Sequence, residues 1–385
     1  MHDRIINYFI GLYFPTFAAR YQHCQNEQVN NSFFHICKCI SLTAVLLCTL
    51  YCKIGYAQSK DDTAYYSLRQ KYISDKTEMI NLSVFIRNPD NAVQYNSSYL
   101  LQLNPNDPNQ LGIRIQHKWL GIELAFSPKS TQLKNRGSTD YFGLHLFSYG
   151  RKLAFNGYYL NYEGYHLTNY KTFDTLNIIG RFPVYPMMNT TNWGGSLTYI
   201  FNHKKFSLRS VYFLNEIQKK SAGSFTLNMA YNNFSFSNPG GLVPNEVSKK
   251  FTASALIQSG QFQSVSLIPA YYHTFVAWKR FFFTLGAGLG PMLQLIQLSS
   301  NIDNDEFLSG VSIRGNARSA FGYNGTSFYI SVAGATDNFT YNMGQERRIS
   351  TVISESRIIL GYRLKATGLL KKGSDLMEKV PIRYN

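Results

Sequence analysis

The sequence predicts a transmembrane, antiparallel, up-and-down β-barrel of roughly 12 to 14 strands, with short periplasmic turns and longer extracellular loops. Three observations lead to this fold class. Apolar and polar residues alternate along most of the chain after Met79, tyrosine and phenylalanine crowd the ends of the alternating segments, and an apolar leader precedes them. With 16% charged and 15% aromatic residues, the composition argues against intrinsic disorder.

The leader is the first element of the chain. Residues 36–52 form an apolar run, Lys38 lies near its start, and the small residues Gly55 and Ala57 follow it. A positive start, a short apolar core and a small-residue cleavage site are the layout of a secretory signal peptide. We therefore expect cleavage after Ala57, with an uncleaved membrane anchor as the alternative, and a location in the outer membrane of a Gram-negative cell.

Cleavage at Ala57 would change the working composition. All five cysteines lie in the first 52 residues, so the mature chain would hold no disulfide and no cysteine-ligated metal. Removing residues 1–57 takes away four bases and two acids, and the net charge falls from +16 to +14. The expected parts are an extension with its signal peptide (1–57), a short N-terminal segment (58–78), the barrel (79–364) and a tail (365–385).

The strands follow, and their signal is a period of two. Leu111, Ile113 and Ile115 alternate with Gly112 and Arg114, as in a strand with one apolar and one polar face. Comparable segments lie near residues 80–88, 110–117, 119–127, 140–149, 152–161, 194–202, 205–214, 223–236, 263–276, 281–294, 309–322, 326–336 and 352–365.

The number of these segments is odd. There are thirteen, whereas single-chain bacterial barrels normally have an even number of strands. The alternation of short turns at one end of the barrel with long loops at the other fails between residues 236 and 264. After this point the short turns would lie at the opposite end. A further strand near 250–258 would give fourteen, and dropping the weak first strand would give twelve.

The connections between strands are of two kinds. Short, mostly basic turns lie around 117–119, 149–151, 203–205, 278–280 and 323–325, and long polar connections lie at 163–193 and 237–261. Three features favour a membrane barrel: short turns at one end with long loops at the other, aromatic residues at the strand ends, and strands long enough for a tilted span of roughly 9–11 residues. Alternation alone would also permit a soluble β-sandwich.

Five blocks of sequence carry a family resemblance. The most specific is FNHKKFSLRSVYFLNEIQKKSAGSF at 201–225, and the others are NQLGIRIQHKWLGIELAF at 109–126, SYGRKLAFNGYYLNYEGYHL at 148–167, GGLVP at 240–244 and the aromatic-rich stretch at 268–283. They resemble an uncharacterised family of outer-membrane β-barrels from diderm bacteria, defined only as a domain of unknown function. The resemblance covers roughly residues 72–364 and implies fold and location, but no substrate. The long front extension and the tail after Leu364 depart from it.

Charged residues on the face of the strands away from lipid are the candidate site. The bases are Arg114, Lys152, Arg209, Arg314, Arg318, Arg357 and Arg363, and the acidic partners are Glu123 and Glu355. A basic constriction in a barrel of this size would favour anions. A filled interior, in which arginine and glutamate pair structurally, is the other interpretation.

The sharpest local motif lies between two predicted strands. It consists of Gln218, Lys219, Lys220, Ser221 and Gly223, with Ala222 between the last two. The lysines could bind the phosphates of lipopolysaccharide. The small residues could instead permit a tight strand reversal or close packing, and we favour this structural interpretation.

A catalytic role has less support. The sequence contains no GxSxG or HExxH motif, and His145 and His273 are the histidines that lie inside predicted strands, away from the turns. The leading hypothesis is a non-enzymatic small pore, transport protein or envelope-structural element. The alternatives are an outer-membrane lipid-modifying hydrolase and a secreted, soluble β-sandwich adhesin. We expect no cofactor and no metal.

The basic charge of the chain suggests its partners. The bases are scattered over turns and strands rather than gathered in one stripe, which argues against nucleic acid and favours anionic lipid heads. The expected partners are therefore outer-membrane lipid and lipopolysaccharide, the outer-membrane insertion machinery and small anionic solutes.

Overall fold

The computed structural model describes residues 63–107, 109–173, 182–300, 305–344 and 346–365. The predicted signal peptide, its cleavage site at Ala57 and the tail after Lys365 lie outside these ranges. In chain order the described elements are α1 Thr63–Tyr72, β1 Ile73–Asp75, β2 Met79–Asn96, β3 Leu100–Pro105, β4 Gln110–His117, β5 Leu120–Phe126, β6 Asp140–Tyr149, β7 Leu153–Leu167, β8 Val184–Ile200, β9 Glu216–Gln218, β10 Ala222–Ser237, β11 Ser259–Ala277, β12 Phe281–Ser299, β13 Glu306–Asn324, β14 Phe328–Asn342 and β15 Arg348–Lys365. No helix in these ranges is both long and apolar enough to cross a bilayer.

Twelve of these strands close into an antiparallel barrel. The order around the wall is β2, β4, β5, β6, β7, β8, β10, β11, β12, β13, β14 and β15. The last strand pairs with the first, from Lys365 opposite Met79 to Arg348 opposite Asn96, which closes the ring. The extra strand β3 joins the far end of β2 to the far end of β7. The predicted barrel class is confirmed, and a β-sandwich is wrong as the fold.

The outer face of the barrel is an apolar belt. On β2, Leu82, Val84 and Ile86 are 40% to 56% exposed, whereas Ser83 and Phe85 between them are buried. The same outer face carries Ile113, Ile122, Phe142, Phe225, Phe283, Val311, Ile330 and Leu360. Soluble monomers rarely expose a continuous apolar surface of this extent, so the alternation in the sequence is that of a wall between lipid and a lumen.

The predicted strand at 205–214 is wrong, and its removal resolves the odd count. Arg209–Phe213 form a single π-helical turn, and the residues that follow form the short strand β9. β9 pairs with β1 in a separate two-stranded sheet and takes no part in the wall. The weak first strand is real, and residues 250–258 form no strand. Neither of the two expected remedies for the count was correct.

Apolar residues on both sides of the segment explain why it cannot be a wall strand. In an extended chain Phe206 and Leu208 would lie on one face and Val211 and Phe213 on the other, so neither face would be polar. All four side chains are buried instead, because the segment turns into the barrel and packs against the inner face of the wall.

Aromatic residues paired with glycines on the inner face of the wall form the surface against which residues 206–214 pack. Four such pairs lie directly across neighbouring strands: Phe85 with Gly112, Phe147 with Gly121, Tyr272 with Gly286, and Tyr329 with Gly361. Each ring fills the space that a side chain on the opposed glycine would need, which is why glycine is required there. The rings pack against residues 206–214 in two apolar clusters.

Both ends of the barrel are covered by chain that leaves the wall. At the end with the short turns, α1, β1 and residues 206–218 form what we call the plug. At the loop end, residues 238–258 between β10 and β11 form what we call the cap. In outer-membrane barrels the end with the short turns faces the periplasm.

Apolar packing holds the cap in place. Leu242, Val247 and Ala255 are at most 1% exposed and join a cluster of inward aromatic side chains from the wall: Tyr95, Tyr165, Tyr185, Phe234, Phe262, Phe339 and Tyr341. Two of these tyrosine hydroxyls also donate hydrogen bonds to carbonyl groups of the cap, at 3.0 and 3.1 Å. The cap is therefore fixed mainly by buried aromatic surface.

Candidate functional site

A cavity of about 290 Å³ lies in the lumen between the plug and the cap. Leu208, Val211 and Tyr212 of the plug line it on one side, and Leu160 and Phe339 of the cluster under the cap line it on the other. Inward side chains of the wall strands surround it. We call this cavity the chamber.

The first charged group on the chamber wall is centred on Glu123 of β5. Its carboxylate accepts from Arg114 of β4 at 2.6 Å and lies 3.1 Å from Arg357 of β15 and 3.4 Å from Arg87 of β2. Glu355 of β15 is bound by the same Arg357 and lies 3.4 Å from Arg87. Two carboxylates are thus shared by three guanidinium groups.

The second charged group lies on β13 and β14. Asp337 is 3.2 Å from Arg314 and also binds Arg318. Taken together, the two groups hold five guanidinium groups and three carboxylates, so each arginine has a carboxylate partner but the positive charges exceed the negative charges by two. The strands that carry them are neighbours in the wall, from β13 through β15 and β2 to β5, and we call this side of the lumen the charged arc.

The opposite side of the chamber is polar and uncharged. Asn156, Tyr158, Ser196, Thr198 and Asn228 line it from β7, β8 and β10. Some of these groups bond to one another: the Asn228 amide, for example, donates to the Thr198 hydroxyl at 2.7 Å. The chamber therefore offers charge on one side and hydroxyl and amide groups on the other.

A chain of hydrogen bonds runs from the charged arc toward the loop end. Arg87 donates to the Gln110 side-chain carbonyl, Gln110 donates to Asp107, and Ser127 also donates to Asp107. Burial raises the pKa of the Asp107 carboxyl, which favours its uncharged form. This polar path runs beside β4 and β5, which contribute no residue to the apolar cluster under the cap.

A buried glutamate holds the plug together. Glu216 of β9 is fully buried, and its carboxylate accepts two hydrogen bonds from Arg69 of α1, at 2.7 and 2.9 Å. Ser207 donates to the same carboxylate, and Arg209 lies 3.5 Å away. Because Arg69 belongs to α1, this single carboxylate joins the N-terminal helix to the segment at 206–218.

Besides the two apolar clusters, hydrogen bonds to backbone carbonyls attach the plug to the wall. Arg363 of β15 donates to the Leu214 carbonyl at 3.0 Å, and Asn324 donates to the Ser210 and Glu216 carbonyls at 3.1 and 2.9 Å. Arg114, which belongs to the charged arc, donates to the Tyr212 carbonyl at 2.8 Å. Leu214 itself has a φ of 58°, a left-handed conformation that costs a branched residue free energy.

Ionisable groups in the plug respond to these contacts. Burial opposes ionisation of Asp75, but hydrogen bonds from Thr77 and the charges of Arg209 and Arg151 outweigh it and lower the pKa of the Asp75 carboxyl. Burial also lowers the pKa of the Arg209 guanidinium, and the nearby Glu216 opposes that change. The plug thus contains a small polar core in which charges of both signs stabilise each other.

Six of the predicted luminal residues lie in the chamber wall, and three do not. The six are Arg114, Arg314, Arg318, Arg357, Glu123 and Glu355. Arg209 was expected on a strand, but it lies in the π-helical turn of the plug. Arg363 points inward at the turn end, where it binds the plug rather than the chamber. Lys152 lies in the turn before β7.

The motif at 218–223 connects the plug to the wall. The Gln218 side chain accepts from the Ser207 amide at 3.1 Å and donates to the Lys205 and Lys220 carbonyls at 2.6 and 3.0 Å. Lys219 donates to the Gln70 carbonyl of α1. These contacts give the motif a structural task at the turn end.

The small residues of the same motif pack closely against β11. The Ser221 hydroxyl accepts from the Val276 amide at 2.9 Å. A side chain at Gly223 would collide with Tyr271 and His273. This geometry agrees with the close-packing interpretation of the motif.

The two histidines of the hydrolase alternative lie on opposite faces of the wall. His145 of β6 lines the chamber, opposite Glu123 in the register and 6.4 Å from the Tyr158 ring. His273 lies on the lipid-facing side of β11, beside Tyr271 at 3.2 Å. The structure therefore does not bring them together. Within the described ranges, no group of three or more His, Cys, Asp or Glu side chains is placed to hold a metal ion.

Four functional candidates were missed by sequence reasoning. Arg87 lies within the predicted strand at 80–88 and Asp337 lies one residue beyond the predicted strand at 326–336, and the inward phase of these two strands would have identified both residues. Arg69 and Glu216 lie outside the barrel strands, on elements with no period-two signal. Only their contact in three dimensions identifies them.

Comparison with known proteins identifies a family. A family described as a domain of unknown function, DUF4421, matches residues 60–364. None of the curated proteins matches the chain.

Solved structures with a similar fold are outer-membrane proteins. The outer-membrane protease OmpT from Escherichia coli is 7% identical, with a TM-score of 0.35, 76% of this chain and 98% of that chain covered. The toluene transporter TodX of P. putida is 9% identical, with a TM-score of 0.24 and coverage of 74% and 89%. The attachment invasion locus protein Ail of Yersinia pestis is 10% identical, with a TM-score of 0.21 and coverage of 73% and 98%. Similarity at this level concerns the fold alone.

Proposed function

The chain belongs to the DUF4421 family, a domain of unknown function, and we propose that it is a non-enzymatic outer-membrane barrel that passes small anionic solutes through a gated lumen. The observation that carries this proposal is the charged arc, where five guanidinium groups share three carboxylates. Fixed positive charge that exceeds the negative charge inside a narrow lumen attracts anions and repels cations.

The plug supplies the gate in this proposal. Its contacts with the wall include hydrogen bonds from arginine and asparagine side chains to backbone carbonyls, which water can replace when the plug moves. Arg114 binds both Glu123 and the plug carbonyl of Tyr212. A solute that competes for the charged arc would therefore weaken a contact that holds the plug.

Lipid and assembly partners are part of the same proposal. The apolar belt would lie in the bilayer, inserted by the outer-membrane insertion machinery. Among the described residues, the turn end carries Lys71, Lys76, Lys118, Arg151, Lys152, Lys204, Lys205, Lys219, Lys220, Lys279 and Arg280 against Asp75 and Glu78. A surface with this excess of cations favours contact with anionic lipid heads.

Ion selectivity tests the proposed function. The purified chain in planar bilayers, under a potassium chloride gradient, is expected to give a reversal potential that indicates anion preference. Replacing Arg314→Gln together with Arg318→Gln leaves Asp337 without its cations and should shift the reversal potential toward cation preference.

The matched control removes two positive charges from the cap. Lys249 and Lys250 are exposed there, so Lys249→Gln with Lys250→Gln should leave the reversal potential unchanged. Cation preference in the unmodified protein, or an equal shift in the control, would contradict the proposal.

A further inference from the structure

We infer that the chamber binds one small anion with two negative charges, such as a phosphate ester or a dicarboxylate. This inference rests on the proposed function and deepens it, since it names the class of solute that the lumen selects.

Two guanidinium groups of the charged arc face the open space of the chamber. The side chains of Arg318 and Arg357 are 24% and 12% exposed, whereas those of Arg87, Arg114 and Arg314 are at most 8% exposed. Both lie on the wall of the same cavity. A ligand in the chamber therefore meets two partly exposed cations, while Arg114 and Arg314 also line the cavity with side chains that are more deeply buried.

Carboxylates hold both of these cations in place before any ligand arrives. Arg318 binds Asp337 and donates to the Thr336 carbonyl at 2.7 Å. Arg357 binds Glu355 and lies 3.1 Å from Glu123. Guanidinium groups that are already oriented lose little conformational entropy when they bind an anion.

The charge balance fixes the charge of the ligand. The five arginines and three carboxylates of the charged arc leave an excess of two positive charges. Uncompensated charge in a buried site is costly. A dianion removes the whole excess, whereas a monoanion leaves half of it and a trianion reverses its sign.

The rest of the chamber limits the size and polarity of the ligand. A volume of about 290 Å³ lies at the lower limit of pockets that hold small molecules, which run from roughly 300 to 1,000 Å³. Across from the charged arc, Asn156, Ser196, Thr198 and Asn228 offer hydroxyl and amide groups. The body of the dianion is therefore expected to be small and hydrogen-bonding rather than a long acyl chain.

Calorimetric titration tests the inference on the full chain in detergent at low ionic strength. Inorganic phosphate and succinate serve as probes that separate the phosphate and dicarboxylate classes, and acetate serves as the monoanion. One of the two dianions is expected to bind with a stoichiometry of one and at least about tenfold more tightly than acetate. Arg318→Gln and Arg357→Gln should each weaken its binding by roughly tenfold or more, Arg318→Lys should restore part of the loss, and Lys279→Gln at the exposed turn should change nothing.

The outcomes separate this inference from the proposed function. Equal affinity for acetate and both dianions in the unmodified protein overturns the inference, even if an arginine variant fails to fold. Unchanged binding in both arginine-to-glutamine variants also overturns it. If dianion binding is absent while the reversal potential still indicates anion preference, the inference fails and the proposed function stands. A reversal potential that indicates cation preference in the unmodified protein would contradict both the inference and the proposed function.

Discussion

The plug and the cap close the same barrel with a different balance of apolar and polar contacts. The cap is fixed by a large cluster of buried aromatic and aliphatic side chains that spans much of the wall. The plug has apolar contacts as well, but the pairing of β1 with β9 and the buried Glu216 carboxylate join its two parts, and arginine and asparagine side chains attach it to the wall.

This difference indicates which end moves. Opening the cap would expose its apolar surface to water, which is costly in proportion to the area. Opening the plug would also expose apolar side chains such as Phe206 and Phe213, but a larger part of its contacts are hydrogen bonds, and exchanging these for hydrogen bonds with water has a small net free energy per bond. In the proposed gating mechanism, the turn end is therefore the end at which we expect the lumen to open.

Glu216→Gln is expected to have the largest effect, because it leaves Arg69 and Arg209 buried without their carboxylate. Loss of one partner from a buried ion pair costs about 3–5 kcal/mol, which should release the plug while the barrel stays folded. The measurement is channel open time in planar bilayers, together with limited proteolysis at residues 200–221. Open time and cleavage should both increase.

The matched control for this variant is Glu78→Gln. Glu78 lies at the same end, with a side chain that is 78% exposed and 3.8 Å from Lys118, so its loss should change neither open time nor cleavage. If Glu216→Gln has the same open time and cleavage as the unmodified chain, the plug does not depend on its charges. The proposed difference between plug and cap would then be wrong.

Phe262→Ala tests the opposite end. Phe262 is fully buried, with its ring centroid 4.9 Å from that of Tyr341 and 5.7 Å from that of Phe234. Truncation of a buried phenylalanine costs about 3 kcal/mol or more, so the cap should become sensitive to protease at residues 238–258. This sensitivity should not depend on salt, because the lost contacts are apolar.

A lipid-facing phenylalanine on the same strand provides the comparison. Phe275 is 51% exposed, and Phe275→Ala should leave the cap resistant to protease. If Phe262→Ala made the plug rather than the cap sensitive to protease, the plug and the cap would be coupled and would not close the barrel independently.

The wall of the barrel could be predicted from sequence because lipid imposes a simple pattern on it. Strands such as β4 and β6 begin and end where the alternation does. The segment at 205–214 does not follow this pattern, because it lies inside the barrel, away from lipid, and no period of two is imposed on it. A strand facing lipid must show one apolar face, but an alternating segment need not face lipid.

The candidate site was predicted less completely for a related reason. The alternation identified Arg114, Glu123 and Arg357 as inward-facing, and they do meet in the chamber. It could not reveal that Arg363 binds a plug carbonyl, because the plug crosses the lumen from distant parts of the chain. Partners that come from 149 residues away leave no local signal in the sequence.

The smallest expected effect comes from the lysines of the motif at 218–223. Lys219 contributes one hydrogen bond to the Gln70 carbonyl, and the ammonium of the exposed Lys220 lies 5.6 Å from the centre of the Tyr72 ring. Lys219→Gln with Lys220→Gln should therefore cost less than about 1 kcal/mol, measured as protease resistance of the plug. Gln218→Ala removes a buried side chain with three hydrogen bonds and should cost more, about 1–3 kcal/mol.

Lipopolysaccharide binding should be equal in the unmodified chain and in both of these variants, because the short-turn end of such barrels faces away from the outer leaflet. If the double lysine variant alone lost lipopolysaccharide binding, the motif would instead be a lipid-binding site. Its two lysines would then bind lipid at the surface of the plug rather than stabilise the plug.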